Sequence, residues 1–305
     1  MAAGTRRGFK HGAEKPKNED GGTLIEGPPK KILILDGMSS GRKGALAVEQ
    51  ALQVMTHHAK KGEKPFKVMQ YGTQKLASVR RKFDLDKDQD GATACLVSDE
   101  RNRIEYAVVG DAKVRIFDVT AGMLVDSSGE HSIVGDVEIA LGGVDSAQTV
   151  DALQSAVDEG VYFQAATHDR LQRVIDKQDA GEEIPIALQR LIGNKVRREV
   201  RKNKITASIN PTGDLDKPPL TRTFQKQPGH TYLVLAHSDG LILEEGEIEE
   251  LLKRANGKPL FAVRLLKQGN EFATTGERTK TREVKPGVTE PSGYIDDCTV
   301  AAMAA

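Results

Sequence analysis

The sequence predicts a layered α+β fold in one large domain. Strand-like segments fall into two blocks, roughly residues 31–119 and 205–303, with helical periodicity between and after them. No unit of about 20–50 residues repeats, which excludes solenoids and propellers. Residues 1–30 are polar and rich in turn formers (Gly12, Gly21, Gly22, Gly27, Pro28, Pro29). Lys31 to Leu35 then reads as a buried strand, bounded by Pro28-Pro29 and by Asp36-Gly37, so that a strand ends at Asp36. Ala45 to Met55 and a stretch near Thr73 to Phe83 read as amphipathic helices. Thr93 to Ser98, Arg103 to Val109 and Lys113 to Val119 read as an antiparallel meander, punctuated by Asp99 to Asn102 and by Gly110-Asp111.

From about residue 146 to 204 the pattern turns helical (Val150 to Val157, Arg170 to Lys177, Ile186 to Arg201) and predicts an insertion or flap. Strand signals return at Ile205 to Ile209, Leu220 to Phe224 and Thr231 to Ala236. Helices follow at Glu244 to Leu252, with its acidic first turn, and near Leu260 to Gln268. Thr274 to Ser292 reads as a polar loop, and Asp297 to Met303 as the last strand.

Composition narrows the function classes. In 305 residues, 44 Lys and Arg balance 44 Asp and Glu, so no global field commits the chain to nucleic acid or anionic lipid. At 38% hydrophobic and 29% charged it is typical of a soluble globular protein. Its apolar runs, such as Ile32 to Leu35, fall far short of the roughly 20 residues that cross a bilayer. The basic, Gly-rich N-terminus lacks an apolar signal core, and the end at Ala305 shows no anchoring tail, which argues against export and against a membrane. Cys95 and Cys298 alone do not make a disulfide framework or a thiolate metal site, so the expected compartment is reducing and cytoplasmic, with both thiols buried in strands.

The chemistry concentrates in carboxylates at strand ends: Glu19-Asp20 before the first strand of the 31–119 block, Asp36 at its end, Asp239 after the strand ending at Ala236, and Asp296 before the last strand. Carboxylates beside Gly, as in Asp36-Gly37 and Asp239-Gly240, suit hard cations such as Mg²⁺ or Mn²⁺, because Gly lets a backbone carbonyl approach the ion. Two such ions about 3.5–4 Å apart can activate a bridging water for phosphate ester hydrolysis. Spacing alone equally allows these Asp-Gly pairs to be turn punctuation.

Asn18-Glu19-Asp20, Ile32 to Gly37 with Met38-Ser39-Ser40-Gly41, Gly91-Ala92-Thr93-Ala94, Val109-Gly110-Asp111-Ala112, Ser238-Asp239-Gly240-Leu241 and Asp296-Asp297-Cys298-Thr299 stand in one order. In that order they resemble the motifs of the metal-dependent protein phosphatases of type 2C (PPM), bacterial members above all, over residues 9–305. The resemblance implies two packed antiparallel β-sheets flanked by helices, here as a single domain with an insertion at about 146–204. It implies a serine/threonine phosphatase that uses a water bridging two Mn²⁺ or Mg²⁺ ions, with phosphoserine and phosphothreonine proteins made by a Ser/Thr kinase as substrates and signalling partners. By the same resemblance Asp36 bridges both ions and the Gly37 carbonyl binds the second. Asp239 and Asp296 hold the first, Glu19 holds the second largely through water, and Asp20 is its structural neighbour. Asp111 belongs to a third, weaker site shared with Asp239. Lys15 takes the place of a phosphate-gripping Arg, supplying charge without the bidentate fork, so weaker substrate binding is expected. Ser39-Ser40 replaces the family's Gly-Gly, Met38 stands where eukaryotic relatives have a His, and Asp297 replaces a common Asn.

Other readings compete. A pseudophosphatase would keep this fold as a regulatory binding module, but its mark is a lost metal carboxylate, and the expected ones are present. Gly37-Met38-Ser39-Ser40-Gly41 fits the G-x-S-x-G nucleophile elbow of a serine hydrolase using Ser39. Too little chain precedes it, however, and the last His, His237, is poorly placed for the base. Asp86 to Gly91 mimics an EF-hand start but has Val97 where the bidentate Glu belongs, so a solvated turn is expected. Arg190 to Lys204 is basic without interleaved aromatics, which favours docking of an acidic substrate over nucleic acid. His57-His58 cannot both face one metal from a helix and are read as surface or packing residues.

Overall fold

The computed structural model describes residues 1–7, 9–10, 13–14, 18–38, 43–87, 89–129, 131, 207–243, 245–278, 281–285, 288–291, 294–295 and 297–305. In chain order the elements are β1 (Ala2–Arg6), β2 (Phe9–Lys10), β3 (Ala13–Glu14), β4 (Gly21–Ile25), β5 (Lys30–Gly37), α1 (Gly44–Lys60), α2 (Pro65–Phe83), β6 (Ala92–Asp99), β7 (Arg103–Val109), β8 (Lys113–Asp118) and β9 (Met123–Ser127). After them come β10 (Leu220–Gln225), β11 (Tyr232–His237), α3 (Glu245–Ala255), α4 (Pro259–Arg278), β12 (Thr281–Lys285), β13 (Val288–Pro291), β14 (Tyr294–Ile295) and β15 (Cys298–Ala304). Residues Met1–Ser128 and Ser208–Ala305 form one compact unit, and Gly129–Ala207 a second. The second lies almost wholly outside the described residues, and with it the predicted helical insertion at 146–204 and the basic run Arg190 to Lys204.

The first unit is built on two five-stranded antiparallel sheets, ordered β10-β7-β6-β5-β4 and β1-β15-β11-β8-β9. This is the α+β sandwich the sequence implies. Alternation sorts the side chains into layers. Ile32, Ile34, Cys95, Val97, Val108, Val114, Ile116, Val234, Ala236 and Met303 make one buried cluster, drawn from both sheets. The alternate residues Phe117, Leu233, Leu235, Val300 and Ala302 form a second cluster with Ile248 and Leu252 of α3 and Val263 and Leu266 of α4. On the opposite flank, α1 and α2 bury a stripe (Ala47, Ala51, Met55; Val68, Met69, Leu76), with α1 against β5 and α2 against β7. Each fully buried aliphatic side chain contributes roughly 1.5–3 kcal/mol. α2 starts with Pro65 at its first turn and stops at Asp84, which takes a left-handed backbone conformation with φ 53°.

Several expectations need correction. The predicted meander is broken after its second strand: β6 pairs with β7, but β8 crosses to the other sheet and pairs with β11 and β9. The crossing is made at Gly110, with φ +85°, where a Cβ would stand 2.4 Å from the Cβ of Thr93. Both routings give the same apolar alternation, so periodicity cannot separate them. The predicted polar loop at Thr274 to Ser292 is instead the end of α4 followed by the β12–β13 hairpin. The segment lacks apolar alternation, so its Pro286-Gly287 pair, which suits a hairpin turn, reads in the sequence as loop punctuation. β1, β4 and β9 arise in segments read as polar or left unassigned. All three are edge strands, which bury only part of one face. Of the strand predicted at Ile205 to Ile209, residues 207–209 are described and show a single bridge, from Ile209 to Ala92. No helix among the described residues is long and apolar enough to cross a membrane.

Candidate metal centre

Asp36 closes β5, Asp111 follows the Gly110 crossing between the sheets, and Asp239 follows β11. Three distant stretches of chain thus deliver carboxylates to one end of the sandwich. One carboxylate oxygen from each lies within 4.8 Å of the others. Asp36 and Asp111 are each 6% exposed. Unit negative charges about 4 Å apart repel by roughly 4 kcal/mol at an effective dielectric of about 20, and a cation between them reverses that sign. A donor set of clustered carboxylate oxygens without His or Cys suits Mg²⁺ or Mn²⁺ rather than zinc.

The surrounding backbone fits the same purpose. A Cβ on Gly37 would meet the Glu19 carbonyl oxygen at 2.8 Å and the Gly44 carbonyl carbon at 2.9 Å. The Gly37 N–H donates to that Glu19 carbonyl (3.1 Å), and the Met38 N–H to the Gly91 carbonyl (3.1 Å). Only Gly fits where Glu19, the end of β5 and the start of α1 converge. At Gly240 the constraint is tighter, since a Cβ there would lie 1.8 Å from the Asp297 carbonyl oxygen. Asn270 of α4, 1% exposed, brackets the same turn: its Nδ2 donates to the Gly240 carbonyl and its Oδ1 accepts from the Ile242 N–H, both at 2.9 Å.

Glu19 and Asp20 are bound into this frame beside the three clustered aspartates. The Glu19 N–H donates to Asp297 Oδ2 (2.8 Å), and Ser238 Oγ donates to Asp20 Oδ2 (2.8 Å) while accepting from the Thr299 N–H (2.9 Å). Lys15, Asp296 and Ser39 lie outside the described residues. Sequence reasoning assigned no anchoring role to Ser238, Asn270 or Asp297. Ser238 and Asp297 adjoin expected ligands and were within reach, whereas nothing local marks Asn270.

The residues behind the EF-hand, histidine-metal and serine-hydrolase readings have structural roles. Asp90 is buried and accepts from the Lys43 N–H (3.1 Å) and the Asp86 N–H (2.8 Å), closing a turn beside α1. His58 stacks on Tyr71, with ring centroids 3.6 Å apart. His237 is buried, with Nε2 against the Arg115 guanidinium and Nδ1 against the Ser238 carbonyl, so neither ring nitrogen is placed to serve as a hydrolase base. Burial, and then the Arg115 charge, hold its imidazole well below the ordinary histidine value. Two surface clefts, of about 670 Å³ between the β4–β5 turn and the end of α1 and of about 290 Å³ beside Tyr106 and Arg222, include none of the clustered carboxylates.

No protein-family model matches the chain, and neither does any curated protein. Solved structures do. The serine/threonine phosphatase Stp1 from Staphylococcus aureus aligns over 100% of this chain and 93% of its own, with a TM-score of 0.62 at 15% identity. The PPM Ser-Thr phosphatase MsPP from Mycobacterium smegmatis, in complex with cacodylate, aligns over 99% and 96%, with a TM-score of 0.57 at 15% identity. The catalytic domain of the serine/threonine protein phosphatase PstP, in complex with two manganese ions, aligns over 100% and 97%, with a TM-score of 0.55 at 17% identity. The fold of this chain is therefore that of the PPM serine/threonine phosphatases.

Proposed function

We propose that the chain is a Mn²⁺- or Mg²⁺-dependent protein serine/threonine phosphatase, acting in the cytoplasm on phosphoserine and phosphothreonine proteins made by a Ser/Thr kinase. Its catalytic domain would be residues 9–305, with the 146–204 stretch inserted in it. The observation that carries the reading is the convergence of Asp36, Asp111 and Asp239 within 4.8 Å, at one end of this particular fold. When bound, the ions supply charge neutralisation of the phosphate and an activated water. The protein's own part is to present the donors. Asp36, Asp239 and Asp296 offer carboxylates to the principal pair of ions, with Gly37 adding its carbonyl and Glu19 assisting. Asp111 serves a third ion, and Lys15 attracts the substrate phosphate as a point charge.

The test is hydrolysis of p-nitrophenyl phosphate and a phosphothreonine peptide by the wild type and Asp239→Ala, with EDTA, excess Mn²⁺ or excess Mg²⁺. Turnover that needs added metal and falls at least about a hundredfold in the variant supports the reading. Folded protein that turns over neither substrate with either ion would mark a regulatory binding module instead. Ser39→Ala should keep its activity, since the serine hydrolase chemistry is not in play.

A further inference from the structure

Arg115 and His237 form a buried pair that none of the site chemistry above uses. They lie on adjacent strands, β8 and β11, where Arg115 is opposite Leu235 and His237 opposite Lys113. The two are therefore diagonal neighbours on one face of the sheet. An arginine only donates hydrogen bonds, so His237 Nε2, which faces the Arg115 Nη1, must be the accepting nitrogen. The ring proton then sits on Nδ1, which donates to the Ser238 carbonyl at 2.8 Å. That carbonyl belongs to the peptide unit joining Ser238 to Asp239. The Ser238 N–H donates to the Thr299 carbonyl (3.0 Å) and its Oγ to Asp20 (2.8 Å), so the residue before Asp239 is held at the amide, the side chain and the carbonyl.

We propose that Arg115 and His237 are positioning residues for the acid cluster. Arg115 selects the His237 tautomer whose Nδ1–H pins the Ser238–Asp239 peptide, and this fixes the direction in which the Asp239 carboxylate leaves the sheet toward Asp36 and Asp111. The inference rests on the metal-centre reading above. It makes affinity for the ion depend on two side chains that never touch it, in the way that outer-shell partners commonly tune a site by about 10–100-fold.

The test is calorimetric titration of metal-stripped protein with MnCl₂, read alongside the melting temperature. His237→Gln keeps an acceptor near the Nε2 position and loses the Nδ1 donor, whereas His237→Asn keeps a donor near Nδ1 and loses the acceptor. His237→Gln and Arg115→Met are expected to bind Mn²⁺ about tenfold or more weakly than wild type, and His237→Asn within about threefold of it. Leu235→Ala, on the same face, should lower the melting temperature and leave Mn²⁺ affinity unchanged. Wild-type affinity in His237→Gln or Arg115→Met overturns the proposal, as does a loss in His237→Asn or Leu235→Ala equal to that in His237→Gln. If the histidine variants do not fold, Arg115→Met decides alone. Wild-type protein that takes up no Mn²⁺ overturns the metal-centre reading itself, a result distinct from bound Mn²⁺ with unaltered variants.

Discussion

Individual residues around the cluster work under unusually tight steric and electrostatic demands. Asp36 and Asp239 repel each other and Asp111, so in metal-free protein Asp36→Asn should raise the melting temperature slightly while abolishing Mn²⁺-dependent turnover. Thermal unfolding in EDTA, followed by assay with Mn²⁺, checks both halves, and a clear fall in metal-free stability would count against the repulsion. Gly240 has the opposite character. With 1.8 Å between its hypothetical Cβ and the Asp297 carbonyl oxygen, Gly240→Ala must push the turn and the start of β15 apart. Urea unfolding should show a loss of about 3 kcal/mol or more. The Asp-Gly pair was visible in the sequence as a turn and as a metal-type motif. The backbone of residue 297 closing against it was not, because that contact joins segments far apart in the chain.

α4 places Asn270 against the Asp239–Gly240 turn, and its amide satisfies both the Gly240 carbonyl and the Ile242 N–H. Asn270→Ala leaves both groups without their partner, an expected cost of about 1–3 kcal/mol by denaturant titration, with weaker Mn²⁺ binding as its second effect. Strand interiors make the complementary prediction for the two thiols. Burial is the main cause pushing Cys95 and Cys298 up to about 12, so both stay protonated at ordinary pH. Buried and protonated, neither thiol should be labelled by a disulfide reagent in the folded protein, and both should be after unfolding. Rapid labelling under native conditions would contradict this picture of the strands. Helices and central strands were legible because a buried face imposes period 3.6 or 2 on the sequence. Of the edge strands of the two large sheets, β10 was legible from its β-prone Leu220 to Phe224, whereas Ala2–Arg6, Gly21–Ile25 and Met123–Ser127 were not, because an edge strand can form on a partner's backbone without an apolar pattern of its own.

At the scale of the whole molecule, the acid cluster straddles the sandwich: Asp36 belongs to one sheet, Asp239 follows a strand of the other, and Asp111 follows the crossing between them. An ion held there ties the two sheets together and replaces repulsion with attraction. Mn²⁺ at about a hundred times its dissociation constant should stabilise the folded protein by about 2.7 kcal/mol, on the order of a 5 °C rise in melting temperature, reversed by EDTA. Differential scanning fluorimetry across a metal titration reads this directly, and no shift in wild type would remove the cross-sheet role.

By itself the sequence determined the class of the fold and the order of its main elements, because burial writes its periodicity locally. It also picked out Asp36, Asp111 and Asp239 as candidate ligands, because carboxylates beside glycines and in a known motif order are local features too. Tertiary structure alone decided that β8 leaves the sheet of β6 and β7, that these three carboxylates share one small space, and that Asn270, Asp297 and the Arg115–His237 pair hold the turn beneath them. Those outcomes depend on contacts between residues tens to hundreds of positions apart, and such contacts leave no periodic trace in the chain that makes them.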